Sequence, residues 1–452
     1  MKPSLPQGTR DFSAEIVKKR NFIFNTIRNA FELFAFQPLE TPAFENLETL
    51  MGKYGDEGDK LIFKILNNGL DRPEKKEKAR EEFEQVLDGK NVKTITERAL
   101  KYDLTIPFAR YVAMNHGQLS FPFKRYQIQP VWRADRPQRG RYREFYQCDA
   151  DVVGSASLLN EIELCKLYQT VFQHLGIHVA ICINNRKILA ALATLCGGEQ
   201  WMIPITVAID KLDKIGVDKV LDELHTKQLP ELALSTVKKY LNIASSNCSN
   251  DEIIAQLSTM FSLVTQGMEG IDELRYLNQH CPYIHIDVTL ARGLNYYTGT
   301  IFEVKPLGIQ MGSIGGGGRY DDLTGLFGVP NIPGVGISFG VDRIYDVMEE
   351  KKLFPSDILS SSSHVMLVNF GTDYDTHNME LLDTLRQHGI SCELYPEAVK
   401  FDRQLKYANK KAIQFVIMLG ETELAENFYT VKNFQTTEQF KLNISELIQL
   451  LK

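Results

Sequence analysis

The feature that most constrains the fold is a pair of strands joined by an arginine-rich loop. Residues 123–133, FKRYQIQPVWR, and residues 142–154, YREFYQCDADVVG, both read as strands, and the loop between them has a Pro-Gln-Arg-Gly tip. Successive side chains of a strand point to opposite faces of its sheet. The second strand therefore places one row of side chains on a single face: Arg143, Phe145, Gln147, Asp149 and Asp151.

That row is a poor core face, because charged groups are costly to bury without partners. It must therefore line water or a ligand. The loop and its flanks carry five arginines against one acid, Asp135. Guanidinium groups bind phosphate in bidentate fashion, so this cluster predicts phosphate recognition, with a merely solvated hairpin as the alternative. The five are Arg133, Arg136, Arg139, Arg141 and Arg143.

A second informative stretch is residues 283–304, YIHIDVTLARGLNYYTGTIFEV. Alternating apolar residues predict a strand from Tyr283 to Leu290, followed by a sharp turn at Arg292, two adjacent tyrosines and another strand. An arginine beside a glycine and two phenols could form a concave site with one fixed charge and two hydroxyls. An ordinary hairpin explains these residues equally well when they are taken alone.

Three shorter segments carry further candidates. Asp103 and Thr105 share a face if residues 98–111 are extended, and an acid with a hydroxyl suits an ammonium ion. Capping of a turn by Asp103 is the alternative. The glycines at 315–318 let a ligand or a strand approach the backbone closely. PGVGISFGVDRI predicts a glycine-rich strand leading into a helix that bears Arg343.

The remaining pattern predicts an α/β protein. A helix capped by Ser13 should end near Phe36, before Pro38. Residues 199–280 are mostly helical, and Ser-rich residues 355–363 break the composition. Beyond them, alternating strands and helices predict a compact unit with a mostly parallel sheet.

Composition narrows the class of protein. The chain has 452 residues, 44% of them hydrophobic, and a net charge of −6, so nucleic-acid binding would need local basic patches. Residues 363–452 hold nine basic against twelve acidic side chains, which weakens an inference of RNA binding there. Seven scattered cysteines without a CxxC spacing argue against zinc and against a disulfide framework. With neither a signal peptide nor a long apolar run, we expect a cytoplasmic protein without membrane contact.

Together these segments resemble the histidyl-tRNA synthetases, a family of class II aminoacyl-tRNA synthetases, over nearly the whole chain. LPQGTRDF resembles the family's opening, WRADRPQRGRYREFYQ its motif 2, and PGVGISFGVDRI its motif 3. RGLNYYTG and GGGGRYDDL resemble two segments peculiar to the histidine enzymes. Residues 36–45 resemble motif 1, which forms the dimer interface in this class.

The resemblance implies a fold and a domain order. The fold is an α+β catalytic domain, with a class II antiparallel sheet flanked by helices, a helical insertion and a carboxy-terminal α/β anticodon-binding domain. The catalytic domain is expected in residues 1–198 and 281–354, and the insertion in residues 199–280. Residues 355–363 would be a linker, and residues 364–452 would bind the anticodon. A homodimer through the motif 1 region is also implied.

The implied reaction activates L-histidine with ATP to histidyl-adenylate and pyrophosphate, then transfers histidine to the 3′ end of tRNA(His). Mg²⁺ would accompany ATP, with its protein ligands unassigned. Arg133 and Arg292 would be catalytic at the α-phosphate. The residues expected to bind ATP are Arg133, Asp135, Arg141, Phe145 and Arg343.

Selection of histidine is assigned by the same resemblance. On the ammonium side it implies Asp103, Thr105 and Gln147. On the imidazole side it implies Asp151, Tyr297 and Tyr320, with Tyr296 in the same pocket.

The chain departs from the family pattern at several positions. Asp135 and Asp151 stand where bacterial members often carry glutamate, which shortens their reach by one methylene. Asn295 replaces an aspartate next to the site. Gly318 completes a run of four glycines where two or three are more usual.

Two other functions fit such a chain less well. A regulatory paralogue, like the subunit that activates ATP phosphoribosyltransferase, would lack the anticodon-binding unit and the arginines that bind ATP. A sensor of uncharged tRNA would bind histidine without adenylating it. Histidine-dependent ATP–pyrophosphate exchange separates these functions from an active synthetase.

Overall fold

The computed structural model of the chain divides into two compact units, residues 1–354 and residues 355–452. The finer division into catalytic domain, insertion and linker stays a prediction. The structure describes residues 2–52, 58–138, 140–245, 248–291, 296–359 and 363–452.

An eight-stranded sheet is the centre of the first unit. Its strand order is β1-β5-β6-β11-β10-β9-β7-β8, and only the two edge pairs, β1–β5 and β7–β8, are parallel. The expected antiparallel class II sheet is therefore confirmed. Its strands are β1 (Gln37–Pro38), β5 (Phe123–Trp132), β6 (Glu144–Val153), β7 (Val179–Asn185), β8 (Ile284–Ile286), β9 (Thr300–Pro306), β10 (Gly315–Tyr320) and β11 (Gly334–Gly340).

A smaller antiparallel sheet, in the order β2-β4-β3, lies in the same unit. Its strands are β2 (Phe44–Asn46), β3 (Lys64–Ile65) and β4 (Arg98–Leu100). The helices of this unit are Ala14–Leu33, Leu47–Leu50, Pro73–Leu87, Thr105–Asn115, Leu159–His174, Arg186–Leu195, Met202–Ile209, Leu212–Thr226, Glu231–Ser245, Asn250–Met260, Thr265–His280 and Val341–Glu350.

The first helix begins as predicted, because the Ser13 side chain accepts a hydrogen bond from the backbone N–H of Ile16. It ends at Leu33, three residues before the predicted limit. Ala35 adopts a left-handed φ of 60°, and the Phe36 N–H donates to the Phe31 carbonyl. This pairing closes the helix end without help from Pro38.

The predicted strand from Tyr283 to Leu290 is wrong beyond Ile286. The Asp287 carboxylate accepts hydrogen bonds from the backbone N–H and the hydroxyl of Thr289, at 3.0 and 2.6 Å. Such a side-chain turn competes with strand pairing. The chain therefore leaves the sheet before the Arg292 region.

The helices between residues 202 and 280 share the main apolar core of the first unit. Tyr240 and Leu274 are fully buried in the same cluster as Ile183 of β7. Helix Thr265–His280 packs against helix Arg186–Leu195, which directly follows β7. The helical segment is thus anchored to one end of the large sheet.

The second unit contains a five-stranded sheet in the order β13-β12-β14-β15-β16. Two of its pairings are parallel and two antiparallel, so the sheet is mixed rather than mostly parallel. Five residues join β15 to β16, too few for a parallel crossover. Its elements are β12 (Val365–Leu367), helix Asp375–Gln387, β13 (Cys392–Leu394), helix Phe401–Lys410, β14 (Phe415–Met418), helix Glu421–Glu426, β15 (Tyr429–Asn433), β16 (Gln439–Leu442) and helix Ile444–Leu451.

Among the described residues, no single helix has the length and apolar character needed to cross a membrane. One bent pair, Arg186–Leu195 with Glu199–Ile209, meets that test of length and composition when the two helices are taken together.

Candidate active site

Two adjoining cavities lie over the glycine-rich middle of the large sheet. The larger has a volume of about 520 Å³ and the smaller about 50 Å³. Arg133, Gln147 and Ser338 line both, as do Tyr297 and Gly316. The cavities therefore meet at a common wall.

Strand β6 contributes the predicted row of side chains to both cavities. Phe145 lines the larger cavity, Asp149 and Asp151 line the smaller, and Gln147 lines the two. Arg143 does not join them, because its Nε donates instead to the Asp135 carbonyl at 3.1 Å.

The five arginines of the hairpin separate into distinct environments. Arg133 and Arg141 line the larger cavity, while Arg136 is exposed. Arg139 lies outside the residues that the structure describes. Of the four arginines that the structure describes, two therefore line the cavity where phosphate recognition is expected.

Arg133 is held where the cavities meet. Its Nε donates to the Tyr102 carbonyl at 3.1 Å, and its guanidinium lies 4.3 Å from the Tyr102 ring and 5.1 Å from the Phe145 ring. These contacts fix the plane of the guanidinium at the place where the two cavities meet.

Arg343 enters the larger cavity from the first turn of helix Val341–Glu350. Its Nε donates to the Gly140 carbonyl at 2.9 Å, and its Nη1 donates to the Ser313 carbonyl at 2.7 Å. The same arginine thus joins the tip of the hairpin to the segment before β10. Asp135 and Arg141 line this cavity too and lie 3.8 Å apart.

Asp103 and Thr105 both line the smaller cavity, although the segment is not extended. Thr105 begins helix Thr105–Asn115, and Asp103 Oδ1 accepts a hydrogen bond from the Ile106 N–H at 3.2 Å. Asp103 therefore caps this turn, and its role toward an ammonium group stays a prediction. Its second oxygen accepts a hydrogen bond from the Tyr296 hydroxyl at 3.3 Å.

Asp151 is the most heavily engaged carboxylate of the smaller cavity. Tyr320 donates its hydroxyl to Oδ1 at 2.5 Å, and Arg125 lies 2.8 Å from Oδ2. Burial raises the pKa of Asp151, against the opposing effects of Arg125 and Tyr320. Burial likewise raises the pKa of both Tyr297 and Tyr320, so these phenols stay protonated.

Sequence reasoning missed Arg125, which is fully buried and lies 4.2 Å from the Phe108 ring. The register of the hairpin would have identified it, because Arg125 stands directly opposite Asp151 on the neighbouring strand. Cross-strand partners share a face of the sheet, so a charge on one strand predicts its counter-charge on the other.

Asp149 was placed on the ligand-facing row but given no role. It is 3% exposed, and its Oδ1 has no hydrogen-bond partner among the residues that the structure describes. Burial raises the pKa of Asp149 to about 7, while the nearby charge of Arg125 opposes the shift.

The last of the four glycines, Gly318, lies where a side chain would clash with its neighbours. A methyl group on Gly318 would lie 2.7 Å from Cδ1 of Tyr297 and 2.9 Å from the Thr300 carbonyl. Gly318 therefore makes room for Tyr297 at the common wall.

Arg292 and Asn295 lie outside the described residues. The catalytic role of Arg292 and the effect of Asn295 therefore stay predictions. The other expected site residues are brought together: those for histidine line the smaller cavity and those for ATP line the larger.

Comparison with known proteins decides the family. The family model "Histidyl-tRNA synthetase" matches residues 73–344, which is more than half of the chain. The chain belongs to the histidyl-tRNA synthetase family. A second family model, of an anticodon-binding domain, matches residues 364–452.

Curated relatives in this histidyl-tRNA synthetase family cover the whole chain. A histidine–tRNA ligase from Phocaeicola vulgatus is 49% identical, and the alignment covers 100% of this chain and 99% of the relative. One from Christiangramia forsetii is 50% identical with the same coverage. The predicted family and its ligase activity class are thus confirmed.

Solved structures agree on the fold. The histidyl-tRNA synthetase of Nostoc sp. PCC 7120 has a TM-score of 0.80 and 28% identity, covering 100% of this chain and 99% of that one. A protein of Bacillus halodurans, described as an ATP phosphoribosyltransferase regulatory subunit/histidyl-tRNA synthetase, has a TM-score of 0.70 at 19% identity, covering 92% of this chain and 99% of that one. The second likeness shows the fold alone.

Proposed function

We propose that the two cavities bind the two substrates of a histidyl-tRNA synthetase reaction, with ATP in the larger and L-histidine in the smaller. The observation that carries this proposal is the common wall, where Arg133 lies next to both cavities. A carboxylate of histidine and an α-phosphate of ATP would meet there.

In the first step a carboxylate oxygen of histidine forms a bond to the α-phosphorus. The bond between the α-phosphorus and the bridging oxygen breaks, and pyrophosphate leaves with that electron pair. Negative charge accumulates around the α-phosphate, so positioned cations supply most of the catalysis. Arg133 is held for this role, and Arg292 is the second cation that the family resemblance assigns to it.

In the second step a hydroxyl of the 3′-terminal ribose of tRNA(His) attacks the carbonyl carbon of histidyl-adenylate. The ester bond to the ribose forms, the mixed anhydride bond breaks, and AMP leaves. Residues 364–452, which match an anticodon-binding domain, would recognise the other end of that tRNA.

Around ATP, Phe145 would stack on adenine and Asp135 would accept a hydrogen bond from its amino group. Arg343 would bind the γ-phosphate, with Arg141 nearby. The two backbone carbonyls use two of the five N–H groups of Arg343, so phosphate binding would not require either of these bonds to break.

Around histidine, Asp103, Thr105 and Gln147 would bind the ammonium group, with Tyr296 orienting the Asp103 carboxylate. Asp151 with Tyr297 and Tyr320 would read the imidazole nitrogens. An amino acid without those nitrogens would leave buried groups unpaired, at about 1–3 kcal/mol for each. That difference could select histidine without an editing domain.

Mg²⁺ bound with ATP fits a carboxylate at the edge of the larger cavity. Glu303 is 6% exposed, lines that cavity and accepts a hydrogen bond from the Ser313 hydroxyl. Among the described residues there is no cluster of three or more potential metal ligands. Mg²⁺ commonly uses one or two carboxylates with substrate phosphates and water. Glu303 would hold the ion, which would supply neutralisation of phosphate charge.

The remaining elements of the proposal concern assembly and location. The chain would form a homodimer through the motif 1 region, residues 36–45, and would act in the cytoplasm. The helical segment 199–280 would be an insertion within the catalytic domain.

The residue roles are tested by measuring the KM of each substrate separately. Tyr297→Phe should raise the KM for histidine and leave that for ATP near normal. Arg292→Ala should slow adenylation far more than it weakens histidine binding. A larger effect of Tyr297→Phe on ATP, or equal losses in the two steps for Arg292→Ala, would overturn these assignments.

A further inference from the structure

The opening segment of the chain, residues 6–12, has no role in the reaction described above. It forms a compact turn, in which the Thr9 N–H and hydroxyl both donate to the Pro6 carbonyl, at 3.2 and 2.8 Å. The segment after this turn lies against two elements that line the larger cavity.

The first element is the arginine-rich hairpin. The backbone N–H of Arg143 donates to the Gly8 carbonyl at 2.9 Å. Arg143 in turn donates through its side chain to the Asp135 carbonyl at 3.1 Å. The opening segment therefore supports the hairpin at the point where its loop rejoins β6.

The second element is the helix that carries Arg343. Arg10 pairs with Asp342 at 2.5 Å, and its guanidinium lies 3.3 Å from the centre of the Tyr142 ring. Tyr142 and Asp342 both line the larger cavity. One side chain thus connects the returning arm of the hairpin to the residue immediately before Arg343.

Arg20 provides an internal comparison. It pairs with the same oxygen of Asp342 at 2.6 Å, and its side chain is 6% exposed, against 28% for Arg10. Asp342 therefore keeps a buried counter-charge when Arg10 is removed. What Arg10 adds is the contact with Tyr142, so its loss should affect the hairpin more than the stability of the fold.

We propose that Arg10 is a positioning residue for ATP, which fixes the hairpin against the helix of Arg343 through Tyr142 and Asp342. This inference rests on the proposed function of the larger cavity. Misplacement of a substrate-binding element by about 1 Å can reduce a rate by up to 10²-fold. Arg10→Ala should therefore reduce kcat/KM for ATP by roughly 10- to 100-fold.

The test is ATP–pyrophosphate exchange with each substrate varied at saturation of the other, together with thermal unfolding. Arg10→Ala should raise the KM for ATP, leave the KM for histidine within about twofold and leave the unfolding temperature nearly unchanged. Arg10→Lys keeps the charge beside Asp342 but loses planar stacking on the Tyr142 ring. Its KM for ATP should therefore lie between that of the wild type and that of Arg10→Ala. Lys2→Ala, which removes an exposed charge four residues before this segment, is the control.

Substitutions of Tyr142 test the same contact independently. Tyr142→Phe keeps the ring under the guanidinium, so it should raise the KM for ATP much less than Tyr142→Ala does. Tyr142→Ala should raise the KM for ATP, and the double variant with Arg10→Ala should be no worse than the more affected single variant.

Equal increases in both KM values, additive losses in the double variant, or an unaltered KM for ATP in Arg10→Ala would overturn the inference. If Arg10→Ala fails to fold, the Lys and Tyr142 variants decide. Wild-type protein without exchange activity would instead contradict the proposed function, so the two failures are distinguishable.

Discussion

Tyr320 donates its hydroxyl to Asp151 across 2.5 Å, although their strands, β10 and β6, are separated by β11. The contact is possible because the intervening strand has glycine at the two positions nearest to it. Gly336 stands opposite Asp151, and Gly334 stands opposite Tyr320. The expected imidazole-binding pair, Asp151 and Tyr320, thus meets only because β11 has glycine at both positions between them.

A methyl group on Gly336 should therefore damage histidine recognition. It would lie 1.9 Å from Asp151 Oδ1, so the carboxylate would have to move. We expect Gly336→Ala to raise the KM for histidine at least about tenfold, the equivalent of roughly 1.4 kcal/mol. Gly117→Ala, which meets no atom within 4 Å, is the control. Equal KM values for histidine in the two variants would show that Asp151 does not bind the substrate.

Asp151→Asn should destabilise the fold because it leaves Arg125 buried with a neutral partner. Removing one member of a buried ion pair commonly costs about 3–5 kcal/mol. Asp149, which also faces Arg125, should keep the loss at the lower end of that range. Urea unfolding measures this loss in the free energy of unfolding. The control is Asp321→Asn, at a more exposed position, which should change that free energy by less than about 1 kcal/mol. Similar losses in both variants would contradict the importance of the Arg125 pair.

Asp149 should make stability depend on pH near neutrality. Burial raises the pKa of Asp149 from 3.8 to about 7 in the fold, so the folded chain holds this proton more tightly than the unfolded chain. Its stabilising contribution is complete below about pH 4 and is lost as the pH rises to about 7. The free energy of unfolding of Asp149→Asn, minus that of the wild type, should therefore increase as the pH is raised from about 5 to about 8. Urea unfolding at several pH values measures this difference. A constant difference across that range would place the pKa of Asp149 elsewhere.

Replacing Arg343 by lysine should weaken ATP binding selectively. Lysine keeps the positive charge but cannot donate in two directions from one plane, as Arg343 does to Gly140 and Ser313. A charge-assisted hydrogen bond contributes about 1.5–3 kcal/mol, so the KM for ATP should rise roughly 10- to 100-fold. Arg386→Lys, at an exposed position of the second unit, serves as the control. An increase confined to the KM for histidine would contradict the phosphate role.

Local patterns predicted much of this structure. Alternation in residues 142–154 placed Phe145, Gln147 and Asp151 on the ligand-facing side of β6, where they lie. The glycine-rich strand before Arg343 was also predicted correctly. These features depend on residues that are close in the sequence, so the periodicity of a strand or a helix is enough to predict them.

Features that depend on distant pairing were not predicted. Arg125 gains its meaning from the register of β5 and β6, and the contact between Tyr320 and Asp151 depends on β11, which lies between β10 and β6. The contact of Arg10 with Tyr142 joins segments more than 130 residues apart. Hydrophobic periodicity carries no information about such contacts. The early end of β8 depended instead on a local turn made by Asp287, which the alternating pattern concealed.

Histidine-dependent ATP–pyrophosphate exchange by the purified chain is the most direct test of the proposed reaction, in which histidine is activated with ATP. With Mg²⁺ and ATP present, radiolabelled pyrophosphate should enter ATP when histidine is added and not when threonine, proline or glycine is added. Absence of exchange in well-folded protein, or equal exchange with those other amino acids, would contradict it.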